Sequence, residues 1–449
     1  MVDRMWWKRW CAVAVAAIFV AGCSAGASPS PSASAEVGSA GPSPSNAPTS
    51  GAELQKIEVF SWWTTGGEAA GLDKLIAQFN QANAGKYEVF NAAVAGGAGS
   101  NAQAVLATRM QSNDPPDSFQ VHMGHELIDG YVASGQMEPL DDLYTANGWL
   151  TTFPKGVLDI VSSDGHYWSV PVNIHRANVL WYNKKVFADN NLSAPTTWAE
   201  FSTVADALKA KGITPLAMGG KDNFEAQQVF ETILIGTLGA DGYKGLWTAT
   251  TDWASADVTK AIDTFKTVLG YTNTDSTSLS WDQANQLVID GKAGMTIMGD
   301  WADGDYVAKK FTDYGWSPAP GNDGIYDALS DTFGLPKGAK HPDGTKAFLT
   351  LLGSAEAQDI FNPLKGSIPA RTDAGNPPAS EKQYDDYLKS ALKDWKSDTI
   401  VPSLEHGAAA KPSWRSAIND AVVLFQQSGD VAAFQGALAS ACRDAGVCR

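Results

Sequence analysis

Cysteine, histidine and basic side chains are all scarce in this chain, and each scarcity excludes something. Four cysteines and six histidines are spread over 449 residues. Cys11 and Cys23 lie near the N-terminus, and Cys442 and Cys448 close to the C-terminus. None falls into the paired Cys/His spacing of a structural zinc site. Lys and Arg number 33 against 49 Asp and Glu, a net charge of -16. A surface of that sign repels phosphate backbones, which excludes nucleic acid as a partner. It argues more weakly against polyanionic substrates, because a local basic pocket can outweigh a global field. Beyond the N-terminus there is no apolar run long enough to cross a membrane. Gly96-Gly97-Ala98-Gly99-Ser100 precedes a helix but lacks the Lys-Ser/Thr ending of a phosphate loop, so it reads as a flexible loop at the edge of a cleft. No cofactor is expected.

What is present begins with the first residues. Arg4, Lys8 and Arg9 are followed by a short apolar run, Cys11 to Ala21, which is too short for a stable span and fits a secretory leader. Val20-Ala21-Gly22-Cys23 closes it and resembles a bacterial lipobox, in which the cysteine carries the lipid. Residues 1–23 are therefore expected to be a lipoprotein leader and Cys23 its lipidation site. Residues 24–53 are rich in Ser, Ala, Pro and Gly and without aromatics. Such a segment cannot bury enough apolar surface to offset its ordering entropy, so it is expected to be a disordered tether. Loss of the leader removes three bases and Asp3, making the remainder two charges more negative. The design is anchor, tether and globe, with the globe acting at the outer face of the cell membrane. In that oxidising setting Cys442 and Cys448 are expected to form a local disulfide that pins the chain end; a zinc site there would need further ligands, and no histidine is near.

Along the globe, Ile57 to Phe60 alternates as a strand, Glu68 to Asn83 carries Leu72, Leu75, Ile76 and Phe79 at helical spacing, and Tyr87 to Val94 reads as a second strand. Asn101 to Gln111 predicts a helix and Ser118 to Val121 a third strand. This βαβαβ order predicts a parallel sheet with helices on its faces. Further on, 178–183 and 295–298 read as strands, and 197–211, 226–238 and 258–269 as helices, with Thr196 or Thr197 capping the first of these. From Gln383 the chain reads as mostly helical. No internal repeat is visible.

Tryptophan is the unusual surplus, with 16 residues, of which Trp6, Trp7 and Trp10 belong to the leader. Indole planes stack on the apolar faces of sugar rings, while polar side chains around the rim meet the hydroxyls.

In this context the chain resembles the extracellular solute-binding proteins of carbohydrate ABC transporters, from about Ile57 to the C-terminus. The resemblance rests on an ordered set of segments. These are Phe60-Ser61-Trp62-Trp63, the run Gly130 to Leu140, Tyr167-Trp168-Ser169-Val170-Pro171 with Leu180-Trp181-Tyr182-Asn183, Pro195 to Phe201, and Gly291-Lys292-Ala293-Gly294-Met295 followed by Gly299-Asp300-Trp301. The Trp62-Trp63 pair, His122, Lys365 and His406 are most similar to glucose-binding members. The resemblance implies an α/β, two-lobed periplasmic-binding-protein fold that closes like a Venus flytrap on ligand in a hinged cleft. The first lobe would comprise 54–172 plus 331–366 and the second 173–330 plus 367–449. It implies a monomeric receptor, not an enzyme, that captures a monosaccharide and delivers it to permease subunits of an importer. Glucose is the first expectation, galactose the second, and a disaccharide or oligosaccharide the alternative. A secreted glycoside hydrolase, the rival from another class, would need two carboxyls flanking a bond, and no such pair stands out.

In α/β lobes, ligands sit beyond the carboxyl ends of parallel strands. Trp62 and Trp63 end the first strand, and alternation sends one inward and one to the cleft; family position favours Trp63 as the stacking face. Glu68 opens the next helix and can accept from a hydroxyl. Gln120 and His122 share one face of the third strand. His125 and Glu126 follow His122, but without a further imidazole or thiolate no metal site is expected. Trp281 and Trp301 are the candidates opposite, Asp331 and Lys365 lie near lobe crossings, and His406 follows late. Asn173 and His175, by the first crossing, complete the expected ligand-binding set.

Overall fold

A parallel pair of strands, β1 (Gln55–Phe60) and β2 (Tyr87–Asn91), opens the globe, joined by the helix Gly66–Ala82. A computed structural model describes residues 53–376 and 383–449. The leader, Cys23 and, but for Glu53, the tether lie outside the described residues. Helix Ser100–Gln111 leads to β3 (Ser118–His122), which pairs parallel to β1 on its other side. Leu72, Leu75 and Phe79 are the buried face of the first helix, as their spacing requires.

The chain then adds a hairpin, β4 (Ser162–Ser163) with β5 (His166–Tyr167), and the edge strand β6 (Ser169–Pro171). It next leaves this sheet through β7 (His175–Arg176) and enters a second one. That second sheet is built from β8 (Val179–Asn183), β9 (Thr214–Ala217), β10 (Ala293–Met298) and β11 (Tyr314–Pro318), in the order β11-β8-β10-β9. From β12 (Ile325–Leu329) the chain returns to the first sheet as β13 (Asp331–Gly334), which lies antiparallel between β3 and β6. The first sheet thus draws on segments before 172 and after 330, and the second on segments between them.

Helix Trp198–Lys209 starts on Thr197, whose hydroxyl accepts from the Glu200 amide while Glu200 accepts from the Thr197 amide, a reciprocal cap. The segment from Gln383 onward is less uniformly helical than its periodicity predicts. Between helices Asp386–Ser397 and Pro412–Ser428, β14 (Thr399–Pro402) pairs parallel to β12 and hands the chain to the turn that carries His406. Cys442 and Cys448 are disulfide-bonded, closing the end of helix Val431–Asp444. No helix among the described residues is long and apolar enough to cross a membrane.

Two large apolar clusters follow the two main sheets, but the first extends across through the helix Trp301–Ala308. That helix meets the first one at glycines. A Cβ at Gly67 would lie 2.0 Å from the Leu364 carbonyl oxygen and 3.0 Å from that of Gly304. Only hydrogen fits at this position, so the backbones of three helices meet just below the cleft.

Candidate functional site

The carboxyl ends of β1 and β3, the β7 crossing and the start of helix Trp301–Ala308 converge on one cavity of about 270 Å³. Nine of the twelve residues expected from sequence line it: Trp62, Glu68, His122, His175, Trp281, Trp301, Asp331, Lys365 and His406.

Two indoles form its apolar walls. Trp62 is 8% exposed and Trp301 6%, so each is held by protein on every side except the cavity. Each is backed by a glycine. A Cβ at Gly99 would lie 2.6 Å from the Trp62 ring, and one at Gly299 would lie 2.2 Å from that of Trp301. The loop read as a cleft edge, Gly96 to Ser100, therefore helps to place a wall of the cavity, because its backbone presses the Trp62 plane from behind. Trp62 also abuts His122, with centroids 5.0 Å apart, and Trp301 abuts His175 at 5.4 Å and His406 at 5.3 Å.

The polar side of the cavity is organised around Asp331. Its carboxylate accepts from Gln120 Nε2 and Asn173 Nδ2, both at 2.8 Å, and faces His175 Nε2 at 3.3 Å. The other nitrogen of His175 is bonded to Asp300. Burial and Lys365 push the His175 pKa down, but the two carboxylates outweigh them and the net shift is upward. The same contacts, with Lys365 and His122, hold Asp331 well below the usual carboxylate range despite its burial. His122 Nδ1 lies 3.0 Å from Glu126 Oε2, so that nitrogen carries a proton, and Nε2 points onward to within 3.9 Å of Asp331 Oδ1. His406 is driven far below the ordinary imidazole value by burial, then by His122 and Arg415, and is neutral. Lys365 Nζ binds Glu68 Oε1 at 2.8 Å and sits over both Trp301 and Trp63. The site therefore offers flat apolar faces, fixed acceptors and an ammonium donor, the set that pyranose hydroxyls and C–H faces require.

Three of the expected contact residues are placed elsewhere. Trp63, expected as the stacking face, is 1% exposed and packs on Phe333 and Phe361 in the first core, so of the pair only Trp62 faces the cavity. Gln120 does not reach the cavity; it lies one side-chain repeat deeper along β3, accepting from the Trp62 amide and donating to Asp331. Asn173 is fully buried and both ends of its amide are taken by Asp331, through the backbone N–H and the carboxylate. These two are supports of the site and not its surface. Conversely, Thr64, Thr65, Asn101, Lys221, Asp222, Phe224, Ser280 and Asp282 line the cavity without having been singled out. The Gly219-Gly220 turn before Lys221 and the Ser280/Gln283 cap before Trp281 were the available signals. Among the described residues, no group of three or more His, Cys, Asp or Glu side chains could hold a metal ion.

Comparison with known proteins identifies the family. Residues 63–359 match the family model of the bacterial extracellular solute-binding proteins. The chain is 37% identical over 398 residues to an uncharacterized ABC transporter extracellular-binding protein of Pyrococcus horikoshii, covering 86% of this chain and 87% of that one. It is 32% identical over 397 residues to a probable sugar-binding periplasmic protein of Rhizobium meliloti, covering 86% and 92%. Among solved structures, a bacterial solute receptor described as preferring β-D-galactopyranose superposes with a TM-score of 0.76 at 22% identity, covering 87% of this chain and 98% of that one.

Proposed function

Since the chain belongs to the bacterial extracellular solute-binding proteins, we propose that it captures a single hexose, glucose first and galactose second, and delivers it to the permease of an ABC importer. At the coarser level it is an extracytoplasmic sugar-binding receptor with the two-lobed fold, and not an enzyme. The observation that carries the hexose assignment is the size of the cavity between Trp62 and Trp301. At about 270 Å³ it lies just below the roughly 300–1,000 Å³ span of drug-sized ligand sites, which favours one ring over two. A hydrolase is disfavoured by contacts as well: of the carboxyls expected at the site from sequence, Glu68 is committed to Lys365 and Asp331 to His175.

The lobes are taken as 54–172 plus 331–366 and 173–330 plus 367–449, acting as a monomer. Sugar binding shifts a population of open and closed forms, because only the closed form lets residues of both lobes touch one ring. Residues 1–23 and the tether would anchor the receptor through the lipid on Cys23, keeping it near the permease.

A panel of sugars tests this. Glucose at about 100 times its Kd stabilises by about 2.7 kcal/mol and raises the melting temperature, whereas maltose leaves it unchanged. A response to maltose alone would move the assignment to the disaccharide alternative, and no response to any monosaccharide would remove the hexose claim. For the anchor, Cys23→Ser is expected to release the protein from the membrane fraction into the medium; continued membrane retention would refute the lipid attachment.

A further inference from the structure

Arg415 lies outside the cavity, on helix Pro412–Ser428, whose Trp414, Ile418, Val422 and Phe425 are buried in the second apolar cluster. Its guanidinium nevertheless reaches groups of the first lobe. Nη2 donates to Gln103 Oε1 at 3.1 Å, on helix Ser100–Gln111, whose Ala102, Leu106 and Met110 belong to the first cluster. Nη1 donates to Glu126 Oε2 at 3.1 Å and to the Glu405 carbonyl at 2.9 Å. The planar fork suits such a junction, since one group holds three acceptors from separate segments.

Glu126 makes the contact consequential. The oxygen that accepts from Arg415 also faces His122 Nδ1 at 3.0 Å, and the other accepts from the His122 amide at 3.2 Å. The Glu126 amide in turn donates to the Gly407 carbonyl at 3.1 Å, beside His406. The Glu126 side chain is 6% exposed and that of Arg415 18%, so solvent screens the pair little. Two imidazoles that line the cavity, His122 on the first lobe and His406 on the second, are thus connected to one second-lobe cation through a single carboxylate and one turn.

We propose that Arg415 is a positioning residue that couples lobe closure to the sugar site. When the lobes close, it binds Gln103 and Glu126, and its share of the Glu126 carboxylate fixes the ring orientation in which His122 presents Nε2 to a hydroxyl. This rests on the sugar-receptor assignment above. A plain structural ion pair would contribute to stability without changing closure or affinity well below the melting temperature.

The test compares the wild-type protein with Arg415→Gln, Arg415→Lys and, as a variant confined to a single far-side acceptor, Gln103→Leu. Sugar affinity is measured for glucose, galactose, xylose and maltose, and closure by small-angle scattering with and without the sugar that binds. Arg415→Gln is expected to weaken binding about 10–100-fold, through faster release, and to leave the saturated protein more open. Arg415→Lys restores charge but not the fork and falls between, and Gln103→Leu weakens binding by less than tenfold. The imidazole ¹⁵N signals of His122 are expected to shift between wild type and Arg415→Gln, because the carboxylate that holds Nδ1 loses its second partner. Unchanged affinity, scattering and His122 ¹⁵N signals in Arg415→Gln would overturn the proposal. If wild type binds none of the four sugars, the hexose assignment fails on its own. The coupling is then judged on the sugar-free protein, where identical His122 ¹⁵N signals and scattering curves in Arg415→Gln and wild type overturn it.

Discussion

Trp62→Ala is expected to lower hexose affinity at least about 100-fold while the melting temperature stays within a few degrees, and Trp63→Ala to do the reverse. The two residues are adjacent, yet their surroundings differ in kind. Trp62 lines the cavity, supported from behind by Gly99, so truncation removes a ligand face and enlarges a cavity that already exists. A hundredfold loss corresponds to about 2.7 kcal/mol, well within what a stacked indole contributes by area and geometry. Trp63 instead fills the space between Leu72, Leu75, Val172, Phe333 and Phe361. Its removal leaves a void that helices on both sides cannot close, at about 3–5 kcal/mol for a Trp→Ala change in a core. Its indole N–H has no partner, so no hydrogen bond is lost with it. Some effect on binding is carried through Lys365, whose ammonium lies 5.5 Å from the Trp63 ring; a change below tenfold is expected. Isothermal titration and thermal melts of both variants separate the roles. If Trp63→Ala loses the sugar and Trp62→Ala keeps it, the stacking face belongs to Trp63 after all.

That the two tryptophans could be told apart only in three dimensions shows where legibility ended. Strand alternation requires one in and one out, but β1 stops at Phe60, and beyond it direction is set by partners. The Trp62 amide is held by Gln120 on β3, and the Trp63 amide by Ser61 Oγ. Gln120 lies 58 positions away from Trp62, out of reach of any local pattern. The same limit applies along β3. Period two placed Gln120 and His122 on one side, but depth depends on the register with β13, which pairs His122 with Asp331 and Gln120 with Phe333. One repeat of about 6.6 Å along the strand separates a cavity residue from its support. The βαβαβ start was legible because local helical and strand periods are strong there. β14 was missed because four residues between two helices give periodicity too little length, although Thr399, Ile400 and Val401 are β-branched. The cavity residues from Lys221 to Phe224 were missed because a loop has no period at all.

Asp331→Asn is expected to weaken sugar binding by about 100-fold or more and to destabilise the fold in a way that depends on pH. The carboxylate accepts from Gln120 and Asn173 amides and faces the His175 ring. An asparagine offers one acceptor and one NH2, so at least one N–H must meet another N–H, and His175 and Lys365 lose their shared anion. Removing one member of a buried charged pair costs about 3–5 kcal/mol. The sign follows from the two shifts. Asp331 is held below its ordinary 3.8, so its contribution is complete above that value and is lost as pH falls through the depressed one. His175 is raised above its ordinary 6.5, so its contribution is complete below 6.5 and is lost as pH rises through the raised value. The stability gap between wild type and Asp331→Asn should therefore be widest between about pH 4 and 6.5 and narrow on both sides. On the alkaline side Lys365 keeps part of it, because that ammonium still faces the carboxylate after His175 has lost its proton. Melting temperatures of both proteins from pH 3 to 9 give the gap directly. A gap of constant size across that range would mean that Asp331 acts through packing and neutral hydrogen bonds, and the imidazolium bridge to Asp300 and Asp331 would have to be abandoned.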